Sequence, residues 1–358
     1  MFMRPGDSLV AGCPFHLPPQ VVLYSRRLST LGGRDSLARP LVQHGHILAF
    51  AERSVNLRRE DVAKYRDQVN HLRDQLGSHV SKNPDYDLVK ILNSGSVAKG
   101  TALKTINDMD VAVYVRRARA PVEEKRLLEW LVGRLREVYP TMAPDQFQAG
   151  QHCVRVSFRG SGLDVDVVPV LYESERDDRG RLITRDTGQW VMTSIPLHLK
   201  FIRVRKERHP QHFAQVVRLL KWWVRERSKV DPGFQLKSFL VELLVAHLGD
   251  SGVDLSDYSV GLESTFAYVV RSGLRERVAF DDNYGASMLP SKRAGVIEIY
   301  DPVNPENNVA ESYTEGDCSR IVAAAQEAFD ACTEAHYATT RRRAVELWQT
   351  VLGPSFVG

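Results

Sequence analysis

The chain reads as an α+β protein of two lobes, a mixed sheet with helices followed by a helical second half. Three observations support this. A strand over Asp108–Val115 alternates cleanly, with Met109, Val111, Val113 and Val115 on one face and Asp108, Asp110, Ala112 and Tyr114 on the other. A hairpin lies downstream: Val154, Val156 and Phe158 alternate with Arg155 and Ser157, Arg159-Gly160-Ser161-Gly162 turns, and Leu163 to Val170 returns. In the second half the apolar residues recur at helical spacing instead.

Bulk composition narrows the class. A length of 358 residues suits two ordinary domains plus an extension. The balance of 48 basic against 44 acidic residues, +4 overall, is far from that of a dedicated nucleic-acid binder. No apolar run approaches the roughly 20 residues needed to span a bilayer, and Arg4 is not followed by a signal-like segment. Cys13, Cys153, Cys318 and Cys332 are scattered without a CxxC pair, so neither a disulfide framework nor a zinc site is indicated. A soluble, cytoplasmic protein, with no membrane association, is the expectation.

In chain order, residues 1–47 read as a loop-rich, disordered leader, punctuated by Pro5, Gly6, Gly12, Pro14, Pro18, Pro19, Gly32, Gly33 and Pro40. Between Arg58 and Val80, the spacing of Val62, Tyr65, Val69, Leu72 and Leu76 predicts a long core-facing helix. Gly95-Ser96 opens a short helix, and the acid-bearing strand follows. A further helix is predicted over about Val122–Val138. Glu173 to Arg185 reads as a charged loop, and Gln189 to His198 leads into the helical half. There, helices are predicted over about Pro210–Lys229, Ser238–Leu248 and Cys318–Leu352, with a polar, proline-rich loop over Asp301–Val309 after a strand-like Val296–Tyr300. The run Arg341-Arg342-Arg343 reads as a solvated face.

The chemistry concentrates in Leu92–Val115. Asp108 and Asp110 stand about 7 Å apart on one strand face, and like charges so placed favour a divalent cation between them. A Gly-Ser turn at a helix start offers unpaired N–H groups to a phosphate. Phosphate on one side and metal on the other is the layout of a nucleotidyltransferase. On the return strand of the hairpin, Asp164 and Asp166 share one face and supply candidates for a third acid.

Gly95-Ser96, Gly100-Thr101 and Asp108-Met109-Asp110-Val111 together resemble the signature of the polymerase-β-like nucleotidyltransferases. Within them the text is most similar to the branch holding bacterial CD-NTases (cGAS/DncV-like), animal cyclic GMP-AMP synthase and 2'-5' oligoadenylate synthetase. The resemblance covers roughly Ala49 to Val351. It implies a catalytic lobe over residues 48–195, a helical lobe over 196–358 and a long N-terminal helix bridging them. It favours Asp166 as the third acid, because Asp166-Val167-Val168-Pro169 resembles the family's Asp-x-x-Pro.

By this resemblance Asp108, Asp110 and Asp166 are catalytic and hold two Mg²⁺ ions, with Mn²⁺ as the alternative. Gly95 and Ser96 would cradle the donor phosphates. Lys221 in Arg218-Leu219-Leu220-Lys221-Trp222-Trp223 and Ser238 at the next helix start would hold the triphosphate. Asn308 would contact substrate from its loop, and Tyr114 and Tyr313 are candidates for stacking on bases. Substrates would be NTPs, ATP and a second one, and the product a cyclic or linear second messenger read by an effector in CBASS-like antiphage defence. The first acid-bearing position is Asp where the animal cyclic GMP-AMP synthase has Glu, and its His/Cys zinc insertion is missing, so no nucleic-acid activator is indicated. The competing readings are transfer to another acceptor, such as a tRNA end or an antibiotic hydroxyl, and a nucleotide-binding regulator. The presence of all three acids weighs against the regulator.

Overall fold

The sheet of the first lobe is built outward from one long central strand. The computed structural model describes residues 39–82, 87–105, 108–116, 124–183 and 189–358. Strand β5, Leu163–Ser174, lies parallel to β2, Asp108–Arg116, and antiparallel to β4, Val154–Phe158. Outside these, β1, Leu88–Ser94, pairs antiparallel with β2, and β3, Phe147–Ala149, with β4. The order is β1-β2-β5-β4-β3, and β6, Arg179–Ile183, extends the far end of β5 and pairs with β7, Trp190–Thr193.

The alternation expected of β2 is realised. Met109, Val111, Val113 and Val115 are buried against Val69, Leu72 and Leu76 of helix α2, Arg59–Lys82, and against Leu127, Leu131 and Leu135 of α4, Glu124–Val138. Helices cover that face because a strand whose alternate residues are all branched and apolar must bury them. The opposite face carries the acids.

Two expectations for this lobe need correction. The segment Glu173–Arg185 is not all loop: β5 runs on to Ser174, and Arg179–Ile183 is a strand. Its pairing depends on Gly180, where a Cβ would sit 2.6 Å from the Leu171 carbonyl oxygen. Such backbone contact leaves no periodic trace in five residues. The stretch expected to be loop up to residue 47 is also helical at its end, where helix α1 spans His44–Phe50. Residues 1–38 of the expected leader lie outside the described residues.

The bridging helix is divided. Helix α1 and the π-helical turn Ala51–Val55 bury Ile47, Phe50 and Val55 in the core of the second lobe, where the Phe50 ring meets Trp222 and Phe356 edge-on. The chain then extends at Asn56, and α2 packs on β1, β2 and α4 of the first lobe. A periodic stripe reports which residues face a core, not which core they face. The break is pinned by Asn56, whose side chain donates to Gln215 Oε1 at 2.8 Å and accepts from Gln215 Nε2 at 3.0 Å and Arg218 Nε at 2.9 Å.

The second lobe gathers α5, Ile195–Arg208, α6, His212–Val230, α7, Ser238–Asp250, and α8, Tyr258–Ser272, with α9, Glu315–His336, and α10, Arg341–Leu352. Helix α3, Gly95–Lys99, completes the ten α-helices among the described residues. The single helix expected over Cys318–Leu352 is two, because Thr340 leaves helical geometry and caps Arg343 N–H with its hydroxyl. Two short parallel strands, β8, Arg277–Val278, and β9, Glu298–Ile299, close the lobe. Among the described residues no helix is long and apolar enough to cross a membrane.

Replacing Asn56 by Ala strands Gln215, which is buried, and the Arg218 guanidinium. The expected loss of stability is about 1–3 kcal/mol, read as a lowered midpoint in urea or thermal unfolding.

Candidate active site

The parallel register of β2 and β5 assembles the acids. Asp108 lies beside Asp164 and Asp110 beside Asp166, one strand spacing apart, and all four are partly exposed. Burial raises Asp108, and Asp166 adds to it. Asp110 is pushed up to about 6, first by burial and then by the charges of Asp108 and Asp166. Arg155 works against the rise at Asp108, and Lys99 and Lys221 against that at Asp110, but burial outweighs them.

Asp166 has found one. Arg155 stands directly across from it on β4, with Nε 2.8 Å from Oδ1 and Nη2 2.9 Å from Oδ2. Both carboxylate oxygens are engaged in this fork. Among the described residues, no group of three or more His, Cys, Asp or Glu side chains is placed, as the side chains stand, to hold a metal ion. Arg155 received no role from the sequence. The signal was available, because the turn Arg159–Gly162 sets the hairpin register that opposes positions 155 and 166.

The Gly-Ser turn is backed onto the acid strand. Ser94, the last residue of β1, pairs with Asp110. Gly95 opens α3 with φ of +68°, and a Cβ there would lie 1.7 Å from Asp110 Oδ2. Glycine is required twice over, by conformation and by contact. The other end of α3 is held by the second lobe: Arg218 Nη1 donates to Gly100 O at 2.7 Å and Lys206 Nζ to Lys99 O at 3.3 Å. Cations placed on these carbonyls match the helix dipole.

A cavity of about 300 Å³ opens beside this turn, lined by Ser94, Gly95 and Lys99 from the first lobe and by His198, Lys237 and Phe239 among others from the second. Lys99 was not singled out from sequence. Its ammonium is 2.8 Å from Glu242 Oε2 and 4.6 Å from the centre of the Phe239 ring. His198 also borders the cavity, its Nε2 2.7 Å from Oδ1 of buried Asp301.

The residues expected to hold the triphosphate lie differently. Lys221 is buried away from the cavity lining, 2.7 Å from Glu242 Oε1 and 3.1 Å from Thr101 Oγ1. Burial pushes its ammonium below the usual range. Burial would by itself raise Glu242, but Lys99 and Lys221 share that one carboxylate and hold it at about 2. Ser238 is the exposed first residue of α7, between the lining residues Lys237 and Phe239.

Asn308 borders the cavity, yet its amide is spent on its own loop. It donates to Ala294 O and Ile297 O and accepts from the N–H groups of Ile299 and Ala310. Each donor and acceptor of the amide is thus engaged within the loop that Asn308 belongs to. Neither tyrosine is placed to stack on a base. Tyr114 is fully buried, with its hydroxyl accepting from Ile195 N–H at 3.1 Å, and Tyr313 is buried with its hydroxyl accepting from Lys237 N–H at 2.8 Å.

Residues 43–204 match the family model of the Second Messenger Oligonucleotide or Dinucleotide Synthetase domain. Over 317 residues, 88% of this chain and 98% of the relative, the sequence is 47% identical to the cyclic AMP-AMP-AMP synthase of Escherichia coli (strain MS 115-1). The chain belongs to the CD-NTase family. It is also similar, at 31% identity over 82% of its length and 90% of the relative's, to the CBASS oligonucleotide cyclase CdnC of Escherichia coli (strain KTE188). The solved structure of E. coli MS115-1 CdnC with ATP matches with a TM-score of 0.84 at 47% identity, covering 89% of this chain and all of that one. Like other CD-NTases, this protein is a metal-dependent nucleotidyltransferase that makes an oligonucleotide second messenger from NTPs.

Two predictions follow from the geometry of this CD-NTase. Gly95→Ala forces a side chain into Asp110 and is expected to reduce synthesis by at least about a hundredfold, as misplacement of reacting groups by an ångström does, measured as product formed from labelled NTP. Lys221→Ala leaves Glu242 with Lys99 and the Thr101 hydroxyl as partners, and is expected to cost about 1–3 kcal/mol in chemical unfolding near neutral pH. Because the Glu242 carboxyl is depressed, the contribution of this network is present above its ordinary value of 4.5 and is lost as pH falls toward about 2.

Proposed function

We propose that this CD-NTase joins ATP units into a cyclic tri-adenylate with Mg²⁺ as its metal, and that the product signals to an effector in CBASS defence. The base and the ring size rest on the 47% identity to a cyclic AMP-AMP-AMP synthase across nearly the whole of that relative. The observation that carries the site assignment is the contact of Gly95, a residue of the cavity lining, with Asp110, which sets a phosphate-accepting turn against the acid face.

The donor set fits the metal. Asp108, Asp110 and Asp166 offer only carboxylate oxygens, the ligands Mg²⁺ prefers, and the parallel register of β2 and β5 sets Asp110 beside Asp166. When bound there, Mg²⁺ would activate the attacking hydroxyl and offset the charge of the phosphate.

The remaining work belongs to side chains and backbone. Gly95 and Ser96 receive the donor phosphates through backbone N–H and the serine hydroxyl. Lys99, at the cavity wall four residues after Gly95, supplies a positive charge to them. Lys221 acts one layer back, as the brace that fixes Glu242 and through it the Lys99 ammonium. Ser238 takes part through its place at the start of α7, beside Lys237.

The test is incubation with labelled ATP and Mg²⁺, then phosphatase, then chromatography. A phosphatase-resistant product that co-migrates with cyclic tri-adenylate is expected, and Asp108→Asn with Asp110→Asn should reduce it to background. Label that appears only on added tRNA would overturn the assignment.

A further inference from the structure

The acids at the site are treated unequally. Among the described residues, no Lys or Arg pairs within 4 Å of Asp108 or Asp110, while Asp166 has both oxygens on Arg155. The arginine is the outer member of the pair: its side chain is 44% exposed and that of Asp166 14%. The guanidinium therefore covers the carboxylate on its solvent side.

We propose that Arg155 is a positioning residue that withholds Asp166 from the metal site, so that the third ligand becomes available only when a cation displaces the guanidinium. This rests on the reading of Asp108, Asp110 and Asp166 as the cation-holding set. The physical basis is competition for one pair of oxygens. A guanidinium stays protonated at any working pH, so it leaves by exchange and not by losing its proton. A bidentate fork is also directional, and it ties both carboxylate oxygens to a side chain of β4.

The hairpin makes the arrangement persistent. Arg155 and Asp166 are register partners on β4 and β5, with Val154 opposite Val167 and Val156 opposite Val165 around them, all four valines fully buried. The two backbones cannot drift apart without exposing that core, so the pair reforms whenever the cation leaves. Asp108 and Asp110 have no such competitor, and a cation carried in with the nucleotide meets them first. A nucleotide phosphate would also be a natural second partner for the released guanidinium, which makes the exchange easier once substrate is bound.

The test titrates Mn²⁺ into the full chain without nucleotide, with free aquo-Mn²⁺ counted by electron paramagnetic resonance. Arg155→Ala is expected to bind Mn²⁺ about tenfold more tightly than the unsubstituted chain. Arg155→Lys, which keeps the charge and gives up the fork, should fall between them. In an Asp166→Asn background the gain from Arg155→Ala should vanish. Arg159→Ala, which removes a nearby charge on the same hairpin that pairs with Asp145 instead, should leave the affinity unchanged.

An Arg155→Ala affinity equal to that of the unsubstituted chain, or a gain that survives Asp166→Asn, overturns the role of the arginine alone. If instead Asp108→Asn, Asp110→Asn and Asp166→Asn all bind Mn²⁺ as the unsubstituted chain does with a non-hydrolysable ATP analogue present, the cation-holding set itself is wrong, and the proposal falls with it.

Discussion

The parallel pairing of β2 with β5 governs the rest of this molecule. It sets four carboxylates on one face at strand spacing, where burial and the neighbouring charges raise Asp108 and Asp110. A fold that tolerates such a face must balance it locally. Here the balance comes from three directions: Arg155 across the hairpin, Lys99 at the end of the Gly-Ser helix, and Lys221 from the second lobe. The valines on the reverse of both strands hold the register that creates the problem, so the packing of the core and the charge of the site are two sides of the same pairing.

The two lobes meet at that balance through polar contacts. Glu242 collects Lys99 from the first lobe and Lys221 from the second, while Asn56 collects Gln215 and Arg218 at the point where the chain passes between the two cores. Arg218 and Lys206 also reach the last carbonyls of the Gly-Ser helix. The turn that would receive phosphates is thereby positioned by side chains of the other lobe. Buried ion pairs of this kind add little net stability over apolar packing, but they are directional, and losing one partner is costly. Their use here sets the position of Lys99 at the cavity wall more sharply than apolar contacts would.

Much of the fold was legible because it repeats. Period-two alternation marked β2 and the β4–β5 hairpin, helical spacing marked α2, α4 and α6, and a nearly unbroken apolar run marked α7. The elements that were misread lack a repeat: β6 depends on one close backbone approach at Gly180, and the break between α9 and α10 on one capping hydroxyl at Thr340. Tyr114 was read correctly as sharing the acids' face, and yet it is buried farther along the strand, where α5 begins to cover the sheet. Strand phase says which face a residue is on and nothing about where along that face solvent ends.

From sequence alone came the chemical inventory: a glycine–serine step, three aspartates in strand phase and a lysine in a helical half, enough to indicate the family and its reaction. Those signals are local, carried by neighbouring residues whose spacing is set by covalent geometry. The tertiary structure alone decided what each charge faces. It gave Lys221 to Glu242 rather than to the cavity, brought Lys99 to the wall, closed Asn308 onto its own loop and set Arg155 over Asp166. Such partnerships join residues distant in the chain, and the attraction between them depends on burial and angle, which no sequence interval encodes.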